Sequence, residues 1–237
     1  GIILVRESRG PNQVSAITGA TVTSVSVARM INRAVAAFLS DERLVELDIR
    51  YPRAVLIGIP PTPPGSTAKP PPRTLRPPIL VPEGTRNLAL GRPVTAGDEE
   101  PIIGQWPMVT DGDKEAADGG YVECGPMLTW VQIDLGQPRR ISHVLMWHYF
   151  LEPLVYKDVI VQVADDADFT RNVRTLFNND HDNSAGLGAG DDREYFETFQ
   201  GKLIDAGGLK ARYVRTYCNG SYTSEMSRFT EVEVYGK

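Results

Sequence analysis

Short alternating runs dominate the second half of the chain. Trp130-Val131-Gln132-Ile133-Asp134-Leu135 places apolar side chains at every other position, and residues 141–147 (ISHVLMW), 159–163 (VIVQV), 213–217 (YVRTY) and 229–235 (FTEVEVY) do much the same. Clusters of Gly, Pro, Asp and Asn separate them. A period of two, broken at intervals by turn residues, predicts an antiparallel β-sandwich or barrel.

The first third follows a different period. After a possible cap at Thr23 or Ser24, Val25, Ala28, Ile31, Val35 and Leu39 recur at helical spacing, with Met30, Ala34 and Phe38 widening the stripe. Residues 44–49 (LVELDI) read as a short strand or a last helical turn. One helix and a strand or two cannot bury a core. Residues 1–57 therefore belong to a larger domain or form an arm that packs on a partner subunit or a second copy. Between the two regions, GIPPTPPGSTAKPPPRTLRPPILVPE is largely proline. Proline fixes φ and removes amide donors, so this stretch predicts an extended spacer or a docking peptide. The expected organisation is an α-helical arm (1–57), a Pro-rich linker (58–86) and a mainly β domain (87–237).

Composition narrows the function. The chain has 237 residues, 41% of them hydrophobic, and a formal net charge of −5. That suits a packed core and disfavours nucleic acid as a partner. No apolar run approaches the roughly 18 residues that span a bilayer. The opening GIILVRESRG lacks the plan of a signal peptide.

Residues 87–237 resemble a discoidin domain, also called the coagulation-factor type C domain. The resemblance rests on Asn87-Leu88-Ala89-Leu90-Gly91-Arg92-Pro93-Val94, Val109-Thr110-Asp111-Gly112-Asp113, the run WVQIDLG from Trp130, Ala211-Arg212-Tyr213-Val214-Arg215 and Glu231-Val232-Glu233-Val234-Tyr235-Gly236. It implies a jelly-roll-like sandwich whose loops at one end bind a carbohydrate, a lipid head group or a protein. It also implies an extracytoplasmic location, with any signal segment outside this sequence. Thr18-Gly19-Ala20-Thr21 is similar to the end of the FMN-binding domain of flavin subunits in ion-pumping redox complexes. That resemblance makes Thr21 the position of flavin attachment and suggests an accessory role beside a redox complex. Ser15 stands where that family has aspartate, so the expectation for this chain is no attached FMN. The same residues also read as a simple helix cap.

Candidate chemistry is sparse. Asp111 and Asp113 lie in a Gly-rich acidic loop, and the discoidin resemblance joins them to Glu231 as ligands of a structural calcium; otherwise the loop is a solvated turn. A second acidic loop, 178–192, lacks EF-hand spacing and reads as a turn or a second metal site. His148, Tyr149 and Tyr156 flank a strand end and are candidates for stacking on, or hydrogen-bonding to, a sugar. Cys124 and Cys218 sit at strand-to-loop junctions, either as a disulfide or as two buried thiols. No GxSxG or HExxH occurs. The sequence therefore supports a non-catalytic binding protein. An electron-transfer flavoprotein and a fragment of a carbohydrate-active enzyme stand as alternatives.

Overall fold

The computed structural model describes residues 3–5, 13–15, 31, 43–54, 58, 60–71 and 74–237. The chain divides into two compact units, residues 1–48 with 78–85, and residues 49–77 with 86–237. In the first unit, strands β1 (Ile3–Val5) and β2 (Gln13–Ser15) pair in parallel. Strands β3 (Leu44–Glu46) and β4 (Leu80–Pro82) pair antiparallel, so the LVELDI run begins as a strand. Of the helix expected over 25–39, Ile31 alone is described; it is helical and exposed. The rest of that helix lies outside the described residues.

The second unit is an antiparallel β-sandwich, as the sequence predicts. Its strands are β5 (Arg86–Asn87), β6 (Val94–Ala96), β7 (Val122–Pro126), β8 (Thr129–His148), β9 (Ile160–Ala164), β10 (Arg174–Asn178), β11 (Lys202–Cys218) and β12 (Met226–Gly236). The central path runs β10-β9-β11-β8-β12-β5, with β6 on β8 and β7 on β12. β8 and β11 are long and serve both layers. The first half of β8 pairs with the end of β11 (Trp130↔Tyr217), and its second half with the start (Met146↔Lys202). The β8–β11 register slips between Asp205 and Leu209 and between Ala211 and Tyr213. Extra residues at such bulges increase local twist and bend long strands. Val131, Ile133, Leu135, Val144, Met146, Val161, Val163, Val214, Val232 and Val234 fill the core between the layers.

β8 is buried on both faces from Ile141 to His148. Trp147 points away from the core, yet its Nε1 donates to the Phe199 carbonyl at 2.9 Å. Gly201 makes this closure possible: its φ is +63°, and a Cβ there would lie 2.6 Å from Trp147 Cε2.

The Pro-rich stretch and residues 51–53 before it are tied to the sandwich at several described points. Arg53 N donates to Glu115 Oε1 at 2.8 Å, Tyr51 meets Phe199 edge-on at 6.5 Å, and Lys69 forms a parallel bridge with Tyr195. Prolines leave its own amides too few to pair with each other, so side chains of the sandwich supply the partners. Among the described residues, no helix is long and apolar enough to cross a membrane.

Candidate functional site

Loops gather where β7 begins and β8 ends, beside the first residues of β12. Tyr149 follows the last residue of β8, and Tyr121 precedes β7. Their rings meet edge-on, with centroids 4.9 Å apart at 62°. The Arg228 guanidinium lies 5.3 Å from the Tyr149 ring centre and 5.8 Å from that of Tyr121. Its Nε donates to Glu123 Oε2 at 2.5 Å. Burial alone would lower the Arg228 pKa, but the Glu123 carboxylate outweighs it and raises it. Burial, together with Glu152 and Tyr121, raises the Tyr149 pKa, so the phenol keeps its proton. The result is a half-buried platform of two tyrosine rings with a fixed guanidinium beside them. Cation–π contact and a charge-assisted hydrogen bond both restrict the arginine.

Two of the expected ligand contacts are corrected. His148 is 0% exposed and Tyr156 is 1% exposed, so neither reaches a ligand. The reason is the burial of both faces of β8 at this end. His148 stacks on Tyr156 at 4.4 Å, and Nδ1 lies 3.1 Å from Glu197 Oε2. Tyr156 contributes indirectly, donating its hydroxyl to the Tyr149 carbonyl at 3.4 Å.

The loop of Asp111 and Asp113 reaches Glu231 through Gly112, but the carboxylate oxygens of the three residues do not all lie within 4.8 Å of one another. Gly112 N donates to Glu231 Oε2 at 3.3 Å. Asp111 Oδ1 accepts from Asp113 N at 2.8 Å, and Asp113 Oδ1 accepts from Glu115 N at 2.9 Å. Glu231 is 0% exposed, and its Oε1 has no hydrogen-bond partner; nor does the buried Oγ1 of Thr230 beside it. Burial, then the Glu233 charge, pushes the Glu231 pKa up to about 9. Glu231 therefore presents a buried oxygen with no donor, with the charge of Asp111 nearby. Lys114 supplies a positive charge next to this group, with Nζ 2.8 Å from Glu233 Oε1 and 3.2 Å from the Gly112 carbonyl.

The second acidic loop brings carboxylate oxygens of Asp158, Asp180 and Asp182 within 4.8 Å of one another. Ser184 bridges them, its hydroxyl donating to Asp158 Oδ2 at 3.1 Å and its amide to Asp180 and Asp182. Asp180 is fully buried by this loop.

Cys124 and Cys218 are separate buried thiols, which corrects the disulfide. Cys218 donates to the Gly220 carbonyl at 3.7 Å. Burial and the nearby Asp98 push the Cys124 thiol up to about 12. Thr18, Gly19, Ala20 and Thr21 lie outside the described residues.

Sequence reasoning missed Tyr121, Glu123 and Arg228. Tyr121 is a single aromatic before β7, Glu123 and Arg228 are single charged residues within β7 and β12, and only the pairing of those strands brings Glu123 opposite Arg228. Lys114, Glu194 and Glu197 were missed for the same reason, since their partners are distant in sequence.

No family model matches the chain, and no curated protein matches it. Solved structures do. A family 89 glycoside hydrolase from Clostridium perfringens in complex with 2-acetamido-1,2-dideoxynojirmycin matches over 64% of this chain at 17% identity and TM-score 0.47; the match spans only 14% of that enzyme. Chitosan-binding module 1, from a chitosanase/glucanase of Paenibacillus sp. IK-5, matches over 64% of this chain and 99% of its own at 21% identity and TM-score 0.44. The Clostridium perfringens module CpGH89CBM32-4, in complex with glcNAc-alpha-1,4-galactose, matches over 66% and 97% at 13% identity and TM-score 0.48.

Proposed function

We propose that the sandwich is a non-catalytic carbohydrate-binding module whose platform is Tyr149 and Tyr121 with Arg228. The carrying observation is the pair of tyrosine rings 4.9 Å apart beside a guanidinium held by Glu123. Aromatic rings take the apolar face of a sugar, and guanidinium N–H groups donate to its hydroxyls. Arg228 is already oriented, so little side-chain freedom is lost on binding. A glycan array on the full chain identifies a ligand. Tyr149→Ala then weakens binding at least about tenfold, the scale of a lost anchor residue, without unfolding the protein. An array with no saccharide retained, or full affinity in the Tyr149 variant, retires this reading. The module acts outside the cytoplasm, as an attachment subunit that also meets a protein partner. Association with a redox complex rests on the Thr18-Gly19-Ala20-Thr21 resemblance. The intact mass and the absorbance spectrum of the purified chain test it, since linked oxidised FMN adds both mass and a yellow colour. Those two measurements also separate the binding module from an electron-transfer flavoprotein. A hydrolysis assay on the saccharide retained by the array tests whether the chain is a carbohydrate-active fragment.

A second reading is carried by the unpartnered Oε1 of Glu231: calcium held by Glu231, Asp111 and Asp113. Calcium would tie the acidic loop to β12. In its absence Glu231 keeps its proton near neutral pH, so Glu231→Gln, a neutral isostere, leaves the melting temperature in chelator almost unchanged. Wild type gains about 2.7 kcal/mol at a hundredfold excess of calcium over Kd, and the variant gains none. Equal calcium response in both proteins rejects the site.

A further inference from the structure

The proline-rich segment is fastened by two residues of the loop before β11. Glu194 Oε2 accepts from Ser66 Oγ and from Thr67 N, both at 2.7 Å, and Glu194 N donates back to Thr67 Oγ1 at 3.1 Å. Ala68 is buried against Val155 and Phe196, with Tyr222 alongside. Further along, Arg76 N donates to Gln200 Oε1 at 2.6 Å, and its guanidinium donates to the Gln200 and Gly201 carbonyls.

The residues that receive this segment also hold the loop carrying Tyr149. Val155 bridges Phe196, and Glu197 N donates to the Leu154 carbonyl at 2.8 Å. Tyr222 N donates to the Val155 carbonyl at 3.1 Å, while the Tyr222 hydroxyl donates to Glu194 Oε1 at 3.0 Å. Tyr156, next to Val155, bonds the Tyr149 carbonyl. A continuous set of contacts thus runs from Ser66 and Thr67, through Glu194 and Val155, to the tyrosine platform.

We propose that residues 66–71 and 74–76 form a closing strap that sets the conformation of the 149–156 loop and thereby the affinity of the Tyr149 platform. The part concerning affinity rests on the carbohydrate reading above; the mechanical part does not. The strap has one buried methyl and a few side-chain hydrogen bonds, so it opens more readily than the strands beneath it. Its prolines restrict the released state, which favours reclosure. Closure preorganises the loop, and by linkage a bound saccharide must favour closure in return.

Hydrogen exchange on the full chain tests the proposal. Wild-type amides of Thr67, Ala68 and Arg76 are expected to exchange far more slowly than in a free peptide. Ala68→Arg ejects the strap without altering the sandwich, and Glu194→Ala does so from the other side. Either variant should raise exchange roughly tenfold in the strap and also in 149–156, and weaken saccharide binding by a similar factor. Wild-type strap amides exchanging at free-peptide rates overturn the strap. So does a released strap with unchanged exchange in 149–156. A wild-type chain that binds no saccharide overturns the platform reading alone, and the exchange data still decide the strap.

Discussion

His148 is the buried residue with most at stake. Burial by itself lowers its pKa, but Cys218 and Glu197 outweigh that and lift it from 6.5 to about 9. A histidine whose folded pKa is raised stabilises the fold fully below its unfolded value. That contribution is lost as pH rises through the folded value. The window therefore runs from 6.5 to about 9. A shift of this size corresponds to a few kcal/mol, at about 1.4 kcal/mol per pH unit. Lys202 works the other way: burial lowers it from 10.5 to about 8, so its protonated form costs stability that returns as pH rises above 8. Glu197→Gln removes the partner of His148 and also a charge that raises Lys202, and both changes flatten the variant's fall with pH. The expected result is a steeper fall in melting temperature from pH 6.5 to 9 in wild type than in the variant. Parallel curves would remove the ion pair from the account. The same residue shows why burial could not be read from sequence. His148-Tyr149-Phe150 ends a strand in either case, and only the covering of both faces of β8 decides which rings are sealed.

At the scale of elements, alternation located the strands but not their extents. The runs at 130–135 and 141–147 read as two strands separated by Gly136-Gln137-Pro138, whereas β8 passes through all of them as one strand. Pro138 is tolerated because residues 136–138 are exposed at the bend, where no inner ladder bond is lost. β11 likewise begins at Lys202, well before the YVRTY run, because Gly207-Gly208 falls at a bulge rather than at a strand end. The docking of the proline-rich stretch left no periodic signal, since its partners Glu194 and Gln200 are over a hundred residues away in sequence. The turn at 198–201 is a vulnerable joint. Gly201→Ala would place a methyl 2.6 Å from the Trp147 ring and 2.8 Å from the Met146 carbonyl, at a φ of +63°. Backbone strain of this kind costs about 1–3 kcal/mol before any clash is counted. Urea unfolding should show a lower midpoint at unchanged slope. A change below about 0.5 kcal/mol, ordinary for surface sites, would mean that the turn relaxes freely.

For the whole molecule, the discoidin-like resemblance anticipated the antiparallel β architecture of the second unit. It did not anticipate the platform, because Tyr121, Glu123 and Arg228 have no shared spacing and meet only through the β7–β12 pairing. The two cysteines report on the integrity of that entire assembly. Both are 0% exposed and belong to the same core cluster, Cys124 on β7 and Cys218 at the end of β11. Reaching either sulfur therefore requires the core around it to open. The Cys124 thiol, held up at about 12, supplies almost no thiolate in the native state. A thiol reagent should thus find two free thiols per chain in the denatured, unreduced protein and essentially none in the native one. Native labelling should follow the global unfolding free energy and speed up on Gly201→Ala by the same factor as its loss of stability. Release of the strap by Ala68→Arg should leave labelling unchanged, because Ala68 packs outside the cluster that holds the sulfurs. Rapid labelling of the native protein, or fewer than two free thiols on denaturation, would contradict a closed sandwich with two independent buried cysteines.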